Sequence, residues 1–94
     1  MVDGVAEYAC ADESKLRSNA SQSMNIDFIN QSGGALKIFW LDYSGQRVSY
    51  NNNLANTQTH AQGTFLTHPW VVTDSSGMCK GIYRAITRTN KMIT

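Results

Sequence analysis

Hydrophobic and polar residues alternate along most of the chain with the period of two that β-strands produce. In residues 25–30, NIDFIN, the side chains of Ile26 and Phe28 fall on one face. Residues 35–43, ALKIFWLDY, have the strongest strand pattern, because they are rich in aromatic and branched residues. The same features predict further strands over residues 47–51, 59–67, 70–74 and 78–85, with 87–94 as a candidate edge strand. Only residues 11–19 suggest a helical turn.

Glycine, serine and asparagine residues separate these predicted strands. The turn signals QSGG, SGQ and SSG occupy residues 31–34, 44–46 and 75–77. Gly63 predicts a bend or bulge within the strand at 59–67, and residues 51–58, NNNLANTQ, are expected to form a loop because they lack a period. Strands spaced about 8–12 residues apart with turns between them indicate an all-β fold, either a β-sandwich or a small barrel.

Length and composition narrow the class of protein. Ninety-four residues suffice for one domain with a modest core, and 41% hydrophobic and 16% charged residues exclude a disordered tail. A net charge of +1 argues against a nucleic-acid partner, which requires a dense basic patch. No apolar run approaches the roughly 20 residues that span a bilayer. We expect one domain over 1–94, with a loose N-terminal segment (1–20) before the sandwich (21–94).

The charges are distributed unevenly along the chain. Four acidic residues near the start and four basic residues near the end make up this asymmetry: Asp3, Glu7, Asp12 and Glu13, then Lys80, Arg84, Arg88 and Lys91. The simpler interpretation is that the two ends of the chain lie close together in the fold. A basic groove for a ligand is the alternative.

The two cysteines, Cys10 and Cys79, are far apart in sequence and form no C-x-x-C motif, which argues against a zinc or thioredoxin-like site. One disulfide between them would close a long loop and stabilise the fold by about 4 kcal/mol. Two free thiols are the alternative. A disulfide implies an oxidising compartment, so we expect a secreted or extracytoplasmic protein whose leader is not in this sequence. A cytoplasmic location remains the alternative.

The central predicted strand carries large apolar residues on both faces. Phe39 and Leu41 share one face, and Ile38 and Trp40 share the other. If the Phe39 face packs on the core, Trp40 points outward, near Tyr50 and Trp70, and the three rings form an exposed aromatic cluster. The alternative is that Trp40 is buried between two sheets.

Catalytic and metal chemistry find little support. The two histidines, His60 and His68, lack the spacing of a metal-binding pair, so we expect no metal and no cofactor. The chain has no nucleophile-elbow motif for a catalytic serine. Because it has many serines and seven acidic residues, a serine and an acid near a histidine would be expected by chance and are weak evidence for a catalytic triad. We therefore expect a binding protein that is not an enzyme.

Several short motifs together resemble the von Hippel-Lindau β-domain family, from residue 16 to about residue 83. In chain order they are Leu16-Arg17-Ser18, Phe28-x-Asn30-x-Ser32, Trp40-Leu41-x-Tyr43-x-Gly45, Tyr50, and His68-x-Trp70 followed by Asp74. None is specific alone, but their order and spacing are. The resemblance implies a seven-stranded β-sandwich, in agreement with the strand pattern.

The resemblance also implies a pocket for the side chain of 4-hydroxyproline in an extended peptide. Trp40 matches a tryptophan of the pocket wall, Tyr50 a lining tyrosine, and Trp70 the tryptophan at the base. His68 matches the histidine that hydrogen-bonds the ligand hydroxyl, and Thr64 falls where the family has a serine with the same role. These five residues are the predicted ligand-binding set, and a hydroxyproline-containing peptide or protein is the implied partner.

The sequence departs from the family pattern in several places. It is one residue longer between Tyr50 and His68, Phe65 replaces a tyrosine, Gly63 replaces a histidine, and His60 falls near an arginine that contacts peptide. The helical domain that recruits a ubiquitin-ligase scaffold is absent from the 94 residues, so we do not expect this chain to bind that scaffold. The alternative function is a structural or inhibitory secreted sandwich that binds a partner protein through loops such as 51–58.

Overall fold

The computed structural model describes residues 2–3, 5–18, 22–85 and 89–93. These residues form a 3₁₀ helix (Cys10–Lys15) and nine strands: β1 (Val2–Asp3), β2 (Val5–Tyr8), β3 (Ser23–Ile29), β4 (Leu36–Leu41), β5 (Arg47–Leu54), β6 (Thr59–Phe65), β7 (Trp70–Asp74), β8 (Cys79–Ala85) and β9 (Thr89–Ile93). Among the described residues, no helix is long and apolar enough to cross a membrane. The predicted all-β class is confirmed, and β3 to β9 supply the seven strands expected after residue 20.

The strands form two sheets that face each other. One sheet has the order β1-β9-β3-β6, and the other has the order β2-β8-β7-β4-β5. Neighbouring strands are antiparallel except β3 and β9, which run parallel. The edge strands β5 and β6 lie against each other at one side of the sandwich. The predicted β-sandwich is therefore confirmed.

The main core lies between the two sheets. β3 follows the predicted alternation, and its buried residues include Ile26 and Phe28, which are fully inaccessible. They pack against apolar side chains of the five-stranded sheet, in a cluster completed by Leu36, Ile38, Leu54, Trp70, Val72 and Tyr83. Since β7 is the central strand of that sheet, both of its faces are covered, and its first four residues are buried. The strand is therefore apolar throughout instead of alternating.

A second cluster covers the opposite face of the five-stranded sheet. We call it the outer cluster; it contains Leu41, Val71 and Ile82, with Tyr8, Leu16, Phe39 and Cys79 packed against them. The structure decides between the two orientations that the sequence left open for β4. Its Ile38 face, not its Phe39 face, packs on the inter-sheet core, and Trp40 packs against that core. Period two could not choose between the faces, because both are apolar.

Part of the N-terminal segment pairs with the sandwich. β2 pairs with β8, and β1 pairs with β9, so residues 2–3 and 5–8 extend the two sheets. The 3₁₀ helix occupies part of the predicted helical turn. The pairing of β1 with β9 confirms that the two ends of the chain lie close together. The predicted disulfide between Cys10 and Cys79 is also confirmed, with Cα atoms 5.9 Å apart, and it ties the 3₁₀ helix to the start of β8.

The structure corrects two local predictions, the one at Gly63 only in its bulge alternative. β6 pairs with β3 without a register shift through Gly63, so no bulge forms there. Residues 51–54 belong to β5 instead of a loop, because β5 continues to pair with β4 and buries Leu54. The pairing of β4 with β5 contains register shifts. Residues 51–54, NNNL, therefore do not show the alternation of polar and apolar residues by which a regular strand is recognised.

Candidate functional site

A cavity of about 160 Å³ lies where the edge strands β5 and β6 meet, and we call it the aromatic pocket. Its lining residues are Trp40, Tyr43, Tyr50, Gln62, Gly63, Thr64, Phe65, His68 and Trp70. The structure thus brings together all five residues predicted to bind ligand, although they come from four strands and a turn. A larger, open depression adjoins the aromatic pocket and shares residues 63–65 with it.

Strand pairing places the two tryptophans side by side. Trp40 of β4 and Trp70 of β7 are directly opposed partners in adjacent antiparallel strands, so their side chains project from the same face of the sheet. The Tyr50 ring lies edge-on to both indoles, with ring centroids 6.2 Å from Trp40 and 5.0 Å from Trp70. Tyr50 is the additional residue of a β-bulge, since Ile38 pairs with Asn51 and Phe39 pairs with Ser49. Bulges of this kind reorient side chains beside binding sites.

The exposure of these rings differs from the prediction in one case. Trp40 is partly exposed and Tyr50 is 46% exposed, as expected. Trp70, however, is only 2% exposed, because it belongs to the central strand and packs on Phe28 in the core. Trp70 therefore forms the floor of the aromatic pocket and is a core residue at the same time.

Trp40 has two hydrogen-bond acceptors for its single indole N–H. The N–H donates to Ser18 Oγ at 2.7 Å and to His68 Nδ1 at 3.0 Å. Ser18 is buried, and its hydroxyl donates in turn to the carbonyl oxygen of Leu41. The indole also stacks on the His68 ring at a centroid distance of 5.4 Å. The N-terminal segment thus fixes one wall of the aromatic pocket through Ser18.

His68 is a buried polar ring with an aromatic environment. It is 4% exposed and lies beside Phe65 and Tyr43, with ring centroids at 4.9 Å and 5.6 Å. A turn after β6 brings it there, since the His68 N–H donates to the Phe65 carbonyl at 3.0 Å. Because indole can only donate, Nδ1 is the acceptor nitrogen, and the neutral ring carries its proton on Nε2.

Thr64 provides the second polar group of the aromatic pocket. Its Oγ1 accepts the indole N–H of Trp70 at 2.7 Å, and the residue is 5% exposed. A hydroxyl has one donor and two acceptor positions, so this contact uses one acceptor position. Thr64 and His68 are thus each oriented by a tryptophan N–H, one from the floor and one from the wall.

Tyr43 and Phe65 line the aromatic pocket but were not predicted as site residues. Both are exposed, at 57% and 40%, and both contact His68. Tyr43 shares a period-two face with Phe39, but β4 ends at Leu41 and the following turn redirects it. Phe65 lies three residues before His68, and the hydrogen bond from the His68 N–H to the Phe65 carbonyl oxygen closes a turn between them. This spacing is the sequence feature that could have placed Phe65 beside His68.

The turn that presents Tyr43 is held by a carboxylate. Asp42 Oδ1 accepts hydrogen bonds from the backbone N–H groups of Ser44 and Gln46, each at 2.9 Å, and from the Ser44 hydroxyl. These bonds, the one from Gln46 foremost, lower the pKa of Asp42 below its usual value. Gly45 adopts a φ of +84°, and a Cβ there would lie 3.1 Å from the Leu16 carbonyl oxygen. Glycine is therefore required at this point of the turn.

Among the residues that the structure describes, those lining the aromatic pocket include no carboxylate and no permanently charged side chain. His60 lies outside it and instead bonds Asn51 and Gln62. Within the described parts of the chain, no group of three His, Cys, Asp or Glu side chains is placed to hold a metal ion. The arrangement suits binding of a small, uncharged group with apolar faces and a hydroxyl.

Comparison with known proteins is consistent with this geometry. Residues 16–80 match the family model described as the VHL beta domain. The matched span includes every residue that lines the aromatic pocket, together with Ser18 and Cys79, but not Cys10. No curated protein sequence matches the chain.

Proposed function

The chain belongs to the VHL β-domain family, whose members bind protein substrates. We propose that the aromatic pocket of this chain binds a 4-hydroxyproline side chain in an extended peptide. Protein binding is the property of the family. Hydroxyproline as the recognised group is our proposal, and the five residues Trp40, Tyr50, Thr64, His68 and Trp70 are its proposed contacts.

One observation carries the proposal: two buried polar side chains converge on a small, uncharged cavity walled by aromatic rings. A volume of about 160 Å³ is below the roughly 300–1,000 Å³ of pockets for drug-sized ligands, so it suits a single side chain. A pyrrolidine ring presents polarised C–H bonds that complement the negative faces of tryptophan and tyrosine. The shape and polarity of the cavity thus favour a proline ring bearing one polar substituent.

The two polar residues can satisfy both hydrogen-bonding roles of the ligand hydroxyl. The neutral His68 ring and the Thr64 hydroxyl together supply a donor and an acceptor for the ligand hydroxyl. Unmodified proline would leave these groups without their ligand partner in a dry cavity, at about 1–3 kcal/mol each. Two such groups correspond to a preference of about a hundredfold for hydroxyproline, as in other sites built around a ligand hydroxyl.

The disulfide supports an extracellular setting for this proposal, because such crosslinks persist in oxidising compartments. We propose a secreted protein that binds hydroxyproline-rich proteins of collagen-like or plant cell-wall-like composition. Such sequences present extended, preorganised chains, which reduces the entropy lost on binding.

The test is calorimetric titration of the protein with two peptides that differ only in proline or 4-hydroxyproline. We expect the hydroxyproline peptide to bind about a hundredfold more tightly, with a fluorescence change from Trp40 and Trp70. Equal affinity would contradict hydroxyproline recognition and favour the alternative of a sandwich that binds its partner through loops. A peptide with 4-hydroxyproline of the opposite ring configuration is the matched control, because its hydroxyl points away from the two polar residues.

A further inference from the structure

We propose that Gly63 is a specificity-determining residue: it lets a bound peptide pass from the aromatic pocket into the larger depression beside it, where the side chain next to hydroxyproline binds. We call that depression, lined by residues 22–25 and 63–65, the open depression. This inference rests on the proposed function and adds a second subsite to it. It starts from a glycine in the interior of β6, a position at which glycine weakens a strand.

The described fold gives no internal reason for this glycine. β6 pairs with β3 through Gly63 without a register shift, so the residue does not form a bulge. Its φ lies outside the positive range that favours glycine. A Cβ at this position would have no heavy atom of the described residues within 4 Å, so no neighbouring segment occupies the space. The backbone at Gly63 therefore accepts a residue with a side chain, and the close approach of a ligand is the remaining common reason for a glycine inside a strand.

Gly63 lies where the two cavities meet. Together with Thr64 and Phe65, it lines both the aromatic pocket and the open depression. Gly63 and Phe65 are opposite Asn25 and Ser23 of β3, so these four residues share the outward face of the four-stranded sheet. The missing side chain thus leaves a passage beside the Phe65 ring, and a peptide with hydroxyproline in the aromatic pocket can cross the strand there.

The open depression has the size and lining for a large uncharged side chain. Its volume is about 880 Å³, compared with about 160 Å³ for the aromatic pocket, and the described residues that line it carry no charge. Phe65 supplies an aromatic ring that is 40% exposed, and Gln22 and Ser23 are exposed polar residues. Tyrosine fits this combination, because its ring packs on an aromatic neighbour while its hydroxyl reaches a polar group at the rim.

The first experiment needs no peptide and tests whether the fold requires the glycine. Gly63→Val should raise the melting temperature of the ligand-free protein, because valine favours the strand conformation and restricts the unfolded chain. A melting temperature below that of the wild type, or a variant that does not fold, would show that the fold itself requires Gly63. The inference would then fail.

The second experiment is calorimetry with hydroxyproline peptides that differ only in alanine or tyrosine beside the hydroxyproline. One pair of peptides varies the preceding residue, and a second pair varies the following residue. On one of the two sides, the wild type should bind the tyrosine peptide about two- to tenfold more tightly, which is the range of one aromatic pair. Because every variant is titrated with the same peptides, properties of the free peptides cancel.

Gly63→Val should abolish this preference for tyrosine, since its side chain fills the passage. Its preference for hydroxyproline over proline should stay within about twofold of the wild-type value, because the partners of the ligand hydroxyl are unchanged. Ala61→Val is the matched control: Ala61 lies two residues earlier on the same strand and outward face, is exposed, and lines neither cavity. It should keep both preferences.

Two results would overturn the inference. One is a wild type that binds alanine and tyrosine peptides equally on both sides of hydroxyproline, and the other is a tyrosine preference that Gly63→Val retains or that Ala61→Val also loses. The proposed function fails differently, through a wild type that does not distinguish hydroxyproline from proline. A tyrosine preference in such a protein, lost in Gly63→Val alone, would leave the second subsite in place.

Discussion

The two faces of the five-stranded sheet are both rich in aromatic and aliphatic side chains, yet the chain treats them differently. The outer cluster is covered by the N-terminal segment, which a disulfide and an ion pair hold in place. The inner face is closed by the second sheet except at the edge, where Trp40 and Tyr50 stay accessible. Hydrophobic surface that serves stability is covered by the chain itself, whereas surface left open beside ordered polar groups is available for a ligand.

The two regions share one strand. β4 directs Phe39 and Leu41 to the outer cluster and Trp40 to the aromatic pocket. Ser18 connects them, because it follows the covering segment in sequence and bonds the pocket indole. Substitutions in the two regions should therefore separate effects on stability from effects on binding, except at Trp70, which belongs to the core and to the aromatic pocket.

Trp70→Ala should have the largest effect. It removes a buried indole from the central strand, which typically costs about 3–5 kcal/mol of unfolding free energy. It should weaken proline and hydroxyproline peptides alike, since the floor contacts the ring of either. Chemical denaturation and calorimetry measure the two effects.

Trp70→Phe is the matched control, because it keeps an aromatic floor but removes the N–H that Thr64 accepts. It should retain more stability than Trp70→Ala and lose mainly the preference for hydroxyproline. Full stability of Trp70→Ala would contradict the assignment of Trp70 to the core.

Loss of the disulfide should have the next largest effect on stability. Because the disulfide lies beside the outer cluster and away from the aromatic pocket, its loss should leave ligand binding unchanged. Replacing Cys10 and Cys79 with serine opens a crosslink between residues 69 apart in sequence, at about 2–4 kcal/mol of unfolding free energy. Reduction of the wild type should lower the melting temperature similarly. The double variant, when folded, should still prefer hydroxyproline. Two freely titrating thiols in the untreated native protein would contradict the crosslink.

His68→Ala should affect binding more than stability. It should lower hydroxyproline-peptide affinity by about 1–3 kcal/mol, because one partner of the ligand hydroxyl is lost. Affinity for the proline peptide should change little. The Trp40 N–H retains Ser18 Oγ as its acceptor, so the wall stays in place.

His60→Ala is the matched control for this prediction, since His60 is the other histidine of the chain and lies outside the aromatic pocket. It should leave the affinity ratio of the two peptides unchanged. An equal loss for both peptides after His68→Ala would show that His68 only supports packing.

The sequence predicted the fold and the clustering of the candidate site residues better than it predicted the orientation of individual side chains. The alternation of Ile26 and Phe28 identified a half-buried strand, and the His68-x-Trp70 motif identified residues that do converge. The burial of Trp70 depends on the position of β7 in the middle of its sheet, which no local pattern reveals. β2 was missed because four residues at a sheet edge are too few to show a period.

Thr64→Ala should combine a binding and a stability effect. It removes a proposed partner of the ligand hydroxyl and leaves the Trp70 N–H without its acceptor, each at about 1–3 kcal/mol. Thr64→Ser keeps the hydroxyl and should restore both properties. If Thr64→Ala binds hydroxyproline peptide as the wild type does, the ligand hydroxyl does not reach this side of the pocket.

Glu13→Gln should have the smallest effect, and it concerns the segment that covers the outer cluster. Arg47 donates to both carboxylate oxygens of Glu13, at 2.7 Å and 2.8 Å, and the hydrogen bonds from Arg47 lower the pKa of Glu13. A carboxylate whose pKa is lower in the folded state adds stability above its unfolded pKa and loses it as pH falls through the folded value. The ion pair is partly exposed, so its contribution should be at most about 1 kcal/mol. Denaturation at a series of pH values should therefore show wild type and Glu13→Gln differing at neutral pH and converging in acid. A constant gap between wild type and Glu13→Gln would show that the charge of Glu13 does not stabilise the covering segment.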